Sequence, residues 1–159
     1  MMGQRSMRRK EWERNEQFAW KVFDEAPYAV LALADEVGAP YCVAVSPARE
    51  GKTVYFHCAR EGLKLELLIK NPQVAMSAVS HCKPISPNYT MSYASVILRG
   101  KAKIVTDETE KALALRRISE RYSANDLEQF DTMMEQYAKA THVVRIDVEQ
   151  ITGKEACNG

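Results

Sequence analysis

Apolar and polar residues alternate along much of the chain with the two-residue period of β-strands. In residues 41–46, for example, Tyr41, Val43 and Val45 share one face. Six segments have this character, with turn-forming residues between them: 28–34, 41–46, 53–58, 74–79, 93–105 and 142–151. Because short turns such as Arg49–Lys52 separate several of these segments, the pattern predicts mostly antiparallel pairing.

Four other segments have apolar spacing typical of helices. They are residues 11–25, 62–70, 107–122 and 125–138. Within the last segment an apolar stripe, which we interpret as core packing, consists of Leu127, Phe130, Met134 and Tyr137.

The order of these elements predicts a mainly β fold with flanking helices. We expect one domain over residues 1–159, in which six antiparallel strands form a barrel. A helical N-terminal segment at 11–25 and a helical insert at 107–138 would lie on its outside. Prolines and other turn-forming residues predict a long loop over residues 80–92.

The composition is that of an ordinary globular protein, with 46% hydrophobic and 27% charged residues in 159. The net charge of +1 provides no field to attract nucleic acid or an anionic membrane. No apolar stretch approaches the ~18 residues of a membrane span, and no hydrophobic segment follows the basic N-terminus as in a secretory signal. We therefore expect a cytoplasmic protein with reduced cysteines.

One strand-to-helix junction has the residues of a phosphate site. The segment Thr53–Cys58 runs into a loop with Arg60 and Gly62, and Lys64 stands in the first turn of the next helix. Free amide groups at a helix start favour an anion, and glycine permits close approach. The alternative is an ordinary solvated helix start, since many such junctions contain a glycine and a lysine.

His57 is the candidate proton-transfer group. It alternates with Val54, Phe56 and Cys58, so it is expected on the opposite face of its strand. A packed or half-exposed structural histidine is the alternative. A metal site is not expected, because His57 and Cys58 point to opposite faces and the spacing to His81 matches no common zinc motif.

The motifs around this junction resemble those of FMN-binding split barrels, in the pyridoxamine-phosphate-oxidase-like superfamily. The nitroimidazole-resistance-type branch has a His–x–Ala–x–x–Gly–x–Lys pattern, which is present here over residues 57–64. Residues 38–46 resemble the branch's Gly–x–Pro–Tyr–x–Val–Pro–Val strand, and residues 93–100 its Tyr–x–Ser–Val–x–x–x–Gly strand. Residues 151–154 resemble its closing turn. The resemblance extends over residues 7–154.

This resemblance implies a six-stranded split barrel that binds FMN. The implied roles fall into four groups: backbone contacts to the flavin ring from Val43, Ala44 and Val45; lining of the ring and ribityl chain by His57, Cys58 and Ala59; a phosphate cradle of Arg60, Gly62 and Lys64; and a side chain near the ring from Ser95. In this branch the matching histidine acts on substrate, which assigns His57 as the catalytic residue.

The resemblance also implies a homodimer and a redox role. FMN, reduced by NAD(P)H or by a partner, would pass electrons to a small, for example nitroaromatic, substrate. Pyridoxamine phosphate is not expected, because Tyr41–Ser46 lacks both charged ends of the Arg–x–Val–Leu–Leu–Lys strand of those oxidases. The alternatives are a flavin-binding module without turnover, and a haem protein with His57 or His81 as axial ligand.

Overall fold

The structure is a computed structural model and describes residues 6–156, in which eight strands form one antiparallel sheet with four α-helices around it. The strands are β1 (Glu13–Arg14), β2 (Ala29–Ala34), β3 (Pro40–Val45), β4 (Ala48–Glu50), β5 (Thr53–Ala59), β6 (Gln73–Ile85), β7 (Thr90–Ile104) and β8 (Thr141–Ala156). The helices are α1 (Glu16–Glu25), α2 (Leu63–Lys70), α3 (Glu108–Tyr122) and α4 (Phe130–Tyr137).

The mainly β fold class with flanking helices is confirmed, but the number of strands is eight and not six. Each of the six predicted strands is present, and β1 and β4 are additional. These two strands contain only two and three residues. Segments this short have no periodicity that could be recognised in the sequence.

The strand order makes this sheet a split barrel. The order is β3-β2-β6-β7-β8-β5-β4, so β3 and β4 are at opposite ends of the sheet. Only Ser46 and Pro47 separate these two strands along the chain. Three residue steps extend at most about 11 Å, so the two ends of the sheet must lie close together. The sheet therefore curls round on itself, with the split between its two ends.

The barrel interior contains the main hydrophobic core. Val54, Phe56 and Cys58 of β5 point into it, as their alternation predicted, together with Leu31 of β2 and Leu98 of β7. A second, smaller core lies on the outside of the barrel, where α3 packs against β5 and β8. It consists of Ala48, Tyr55, Val105, Ala114, Ile118 and Val143.

The N-terminal helix begins at Glu16, so the predicted start at residue 11 was wrong. The side chain of Asn15 accepts a hydrogen bond from the Phe18 amide and caps the helix. Before this cap, residues 13–14 pair with β8. The helix buries Trp20 and Phe23 against the barrel.

The long loop predicted over residues 80–92 is instead a hairpin arm formed by the ends of β6 and β7. A single turn at Ser86–Asn88 joins the two strands, and Tyr89 adopts φ 49°. Pro84 is tolerated in β6 because β2 pairs only with residues 75–77, which leaves this part of β6 as an edge.

The helical insert between β7 and β8 starts where predicted and then departs from regular helix. Asp107 caps α3 by accepting a hydrogen bond from the Glu110 amide. Residues 124–129 form a 3-10 helix before α4, where the sequence predicted one helix over 125–138. Among the described residues, no helix is long and apolar enough to cross a membrane.

Candidate functional site

The split of the barrel brings two unpaired strand edges together. Within residues 6–156, β3 pairs with β2 alone, so its other edge, which includes Val43, Ala44 and Val45, has no strand partner. On the opposite side of the split, β4 pairs with β5 only as far as Tyr55. The gap between these two edges is called the opening here, and His57, Cys58 and Ala59 therefore also border it. Backbone groups at such edges are available to a ligand.

The start of α2 follows directly and forms a backbone cradle. Gly62 has φ 132° and ψ 161°, a conformation that is essentially restricted to glycine. Its carbonyl accepts hydrogen bonds from the Leu65 and Glu66 amides, so the amides of Leu63 and Lys64 precede the first intrahelical bond. A Cβ at Gly62 would meet nothing within 4 Å, which shows that the space above this backbone is open.

Lys64 lies close to the end of β5. Burial raises the pKa of the Cys58 thiol, and the positive charge of Lys64 partly offsets that rise. The Lys64 side chain is half-buried, whereas Cys58 is 8% exposed and packs into the core. Cys58 can thus offer the opening only its backbone, while Lys64 offers its ammonium.

Arg60 is turned toward a different part of the molecule. Its guanidinium Nη1 donates a hydrogen bond of 3.2 Å to the carbonyl of Lys139, in the turn before β8. Arg60 is exposed, so it remains at the rim of the opening rather than at its base.

His57 points away from the core, as its position in the strand predicted, and opens into a pocket between β5 and the helical insert. The pocket has a volume of about 280 Å³. It is lined by His57, Leu115, Ile118, Ser119, Phe130, Met133, Met134, Tyr137, Ala138 and Thr141. His57 is exposed, but partial desolvation by these surroundings lowers the pKa of its imidazole below the ordinary value of 6.5, so the imidazole is mainly neutral at pH 7.

The interpretation of the α4 stripe as core packing was wrong. No residue of α4 is buried, and three of its stripe residues, Phe130, Met134 and Tyr137, line this pocket instead. Also not singled out from the sequence were the α3 residues that line the pocket, Leu115, Ile118 and Ser119. Their sequence signal, an amphipathic pattern, is the same for a helix that packs on protein and for one that covers a cavity.

Hydrogen bonds between partly buried side chains hold α3 beside the pocket. The Tyr55 hydroxyl donates to the Glu110 carboxylate at 2.9 Å, and Arg145 of β8 binds the same oxygen at 2.8 Å. Burial, followed by the hydrogen bond to Glu110, raises the pKa of Tyr55 to about 12. The tyrosine therefore stays protonated and keeps α3 in position over β5.

Arg121 is a second positioning residue that no sequence motif indicated. Its guanidinium donates hydrogen bonds to the carbonyls of Pro47, Phe23 and Ala26. The Tyr122 hydroxyl donates to the Pro47 carbonyl as well, at 2.9 Å. Because Pro47 belongs to the link between β3 and β4, these bonds connect that link, through α3, to the end of α1.

Ser95 is not brought together with the other candidates in this chain. It pairs with Lys154 of β8, whereas His57 pairs with Val143 of the same strand. These two β8 positions are 11 residues apart, an extended length of about 36 Å. Ser95 lies on the outer barrel wall, far along β8 from the split.

Comparisons with known proteins agree with this architecture. A family model described as pyridoxamine 5'-phosphate oxidase matches residues 15–155. The structure is similar to a candidate 5-nitroimidazole antibiotic resistance protein from Bacteroides thetaiotaomicron, at 26% identity and TM-score 0.76, over 89% of this chain and 84% of that one. No curated protein matches the chain.

Two further solved structures are similar at lower identity. One is the flavocytochrome Anf3 from Azotobacter vinelandii, at 20% identity and TM-score 0.80, over 96% of this chain and 73% of that one. The other is a FAD-binding protein from Mesorhizobium loti, at 21% identity and TM-score 0.67, over 91% and 97%. The family match confirms the resemblance that the motifs indicated, since it extends from the first turn of α1 to the end of β8: the chain belongs to the pyridoxamine 5'-phosphate oxidase family.

Proposed function

We propose that this protein binds FMN in the split of its barrel and uses it to reduce a small organic substrate, with nitroaromatic compounds as the first class to test. The observation that carries the proposal is the juxtaposition at one opening of the Gly62 cradle, Lys64 and His57. A phosphate at the start of α2 would place the rest of the cofactor along the end of β5.

The residues at the split fit such a cofactor. Gly62 leaves its backbone open, and Lys64 adds a full positive charge to the partial charge of the helix start. The unpaired edge of β3 offers backbone donors and acceptors without any charged side chain between Pro40 and Val45. These features suit an uncharged ring system that carries one anionic phosphate at its far end.

Bound FMN would supply the electron transfer, with NAD(P)H as the expected source of electrons. The protein would supply His57, whose backbone borders the opening and whose imidazole, in the pocket beside the helical insert, can donate or accept a proton near neutral pH. The same absence of charge on β3 argues against pyridoxamine phosphate as substrate. Neither β3 nor the pocket beside His57 has a cationic side chain to bind a second phosphate.

We also propose that the protein acts as a homodimer through the outer face of β3, β2, β6, β7 and β8. The strand register places an uncharged row across these five strands: Ala44, Val30, Ser77, Ile97 and Thr152. Ile97 is 47% exposed and Val79 is 41% exposed on this outer wall. Ser95 is two residues from Ile97 and shares its face, so a second copy is the route by which Ser95 could reach a flavin.

Absorbance of the purified protein tests the cofactor directly. Flavin gives paired bands in the blue and near ultraviolet, whereas haem gives one sharp violet band. We expect the flavin bands, release of FMN on denaturation, and oxidation of the pre-reduced protein by nitroaromatic compounds. A protein that takes up haem, or no cofactor at all, would contradict the proposal.

A further inference from the structure

One wall of the pocket between β5 and the helical insert is helix α4, whose apolar face is not covered by protein. Helix α4 is amphipathic, yet none of its residues is buried. Met133 remains 48% exposed and Tyr137 55% exposed, although both line the pocket. An apolar stripe normally packs on protein, because water contact with apolar surface is unfavourable. Here the stripe faces a cavity, and an apolar ligand would complete its packing.

The pocket has no charged lining. Its ten lining residues include no lysine, arginine, aspartate or glutamate, and their polar side chains are His57, Ser119, Tyr137 and Thr141. The Thr141 hydroxyl already donates to the Tyr137 carbonyl at 3.0 Å. His57 is mainly neutral at pH 7, because partial desolvation lowers its pKa.

Nearby cations are bound by other groups. Lys111 Nζ donates to the Ala138 carbonyl at 2.7 Å, and Arg60 donates to the Lys139 carbonyl. Arg116 lies over the Phe130 ring at 5.1 Å and forms an ion pair with Glu120 at 3.1 Å. None of these three cations lines the pocket, so an anion there would lose part of its hydration without forming a direct ion pair, which is costly.

We infer that this pocket is the substrate chamber and that it selects small, uncharged aromatic molecules. A volume of about 280 Å³ lies at the lower limit for ligand pockets, and it suits a single substituted ring. Phe130 and the two methionines provide adaptable apolar contacts to such a ring, and the neutral imidazole of His57 hydrogen-bonds its polar substituent.

Helix α4 therefore supplies most of the apolar contacts that determine specificity, and His57 of the barrel supplies the polar contact. The identification of this ligand as the substrate rests on the proposed function. The binding preference itself does not, since it follows from the lining of the pocket.

A matched pair of probes tests this inference without turnover. 4-Nitrobenzyl alcohol and 4-nitrobenzoate have the same ring and nearly the same size, but only the second is anionic. Calorimetric titration of the oxidised protein, with and without FMN, should show at least about tenfold tighter binding of the alcohol. Equal affinities would overturn the inference.

A charge placed in the pocket should reverse this preference. Met134→Lys should weaken the alcohol about tenfold and strengthen the benzoate by a similar factor. Gln136→Lys is the control, because Gln136 is exposed on the same helix and does not line the pocket. It should change neither affinity more than about twofold. If both variants act alike, the selection comes from long-range charge and the chamber assignment is wrong.

Comparison of the titrations with and without FMN distinguishes failure of this inference from failure of the proposed function. If FMN saturation abolishes binding of the alcohol, the pocket belongs to the flavin and is not a separate chamber. If FMN does not bind but the alcohol binds with the expected preference and the Met134→Lys reversal, the proposed function fails and the selectivity of the pocket for uncharged aromatic molecules stands.

Discussion

Replacing Lys64 with methionine should weaken FMN binding far more than riboflavin binding. Lys64 is the second residue of α2, at amides that precede the first intrahelical hydrogen bond. A hydrogen bond between an ammonium and a phosphate contributes roughly 1.5–3 kcal/mol. Since 1.4 kcal/mol corresponds to a factor of ten, the FMN dissociation constant should rise about 10- to 150-fold. Riboflavin has no phosphate, so its affinity should hardly change.

Lys70→Met is the matched control for this substitution. Lys70 is the last residue of the same helix and is exposed. The substitution removes the same charge at a position about 9 Å further along the helix axis, and this distance is close to one Debye length in physiological salt. We expect less than about a twofold change in FMN affinity for this variant. Quenching of flavin fluorescence on titration with apoprotein measures both ligands at constant ionic strength.

Two results would refute the reasoning. Equal weakening of FMN and riboflavin would mean that Lys64 supports the fold around β5 rather than the phosphate. Unchanged affinity for both would place the phosphate elsewhere, and Arg60 would be the next cation to replace.

Three further substitutions test the role of His57, the dimer face and the conformation of Gly62. His57→Ala should retain FMN and lower turnover of a nitroaromatic substrate by about 10²–10⁴-fold, and the rise in wild-type turnover as the pH falls through the lowered pKa of this imidazole should be absent from the variant. Ile97→Glu should convert the dimer to a monomer by light scattering, because it places a charge in the uncharged row. Gly62→Ala should lower the free energy of unfolding by about 1–3 kcal/mol in urea titration, since φ 132° strains any other residue.

The orientation of β5 could be predicted from its residues alone. Val54, Phe56 and Cys58 alternate with His57, and a strand has only two faces, so burying the apolar set exposes the histidine. Both ends of α2 could be predicted as well, because Gly62 precedes the helix and Asn71-Pro72 follows it. Local physics determines both features.

The separation of Ser95 from the split could not be predicted in this way. A motif reports spacing along the chain, whereas the distance from Ser95 to His57 depends on how β7 and β5 each pair with β8. The same holds for Arg121, whose three carbonyl partners lie 74 to 98 residues away. Hydrogen bonds between residues that are far apart along the chain produce no periodic pattern in the sequence.

The α4 stripe shows a more general limit of hydrophobic patterning. Periodicity establishes that one face of a helix needs an apolar partner, but it does not say whether protein or ligand provides that partner. Burial separates the two cases: α1 buries Trp20 and Phe23, whereas α4 buries nothing. Under the two proposals, the cradle of Gly62 and Lys64 would retain the cofactor and the α4 wall of the pocket would select the substrate. Proteins that keep the first and vary the second should bind the same flavin and reduce different molecules, and an exchange of residues 124–137 between two such proteins should transfer the substrate preference without changing FMN affinity.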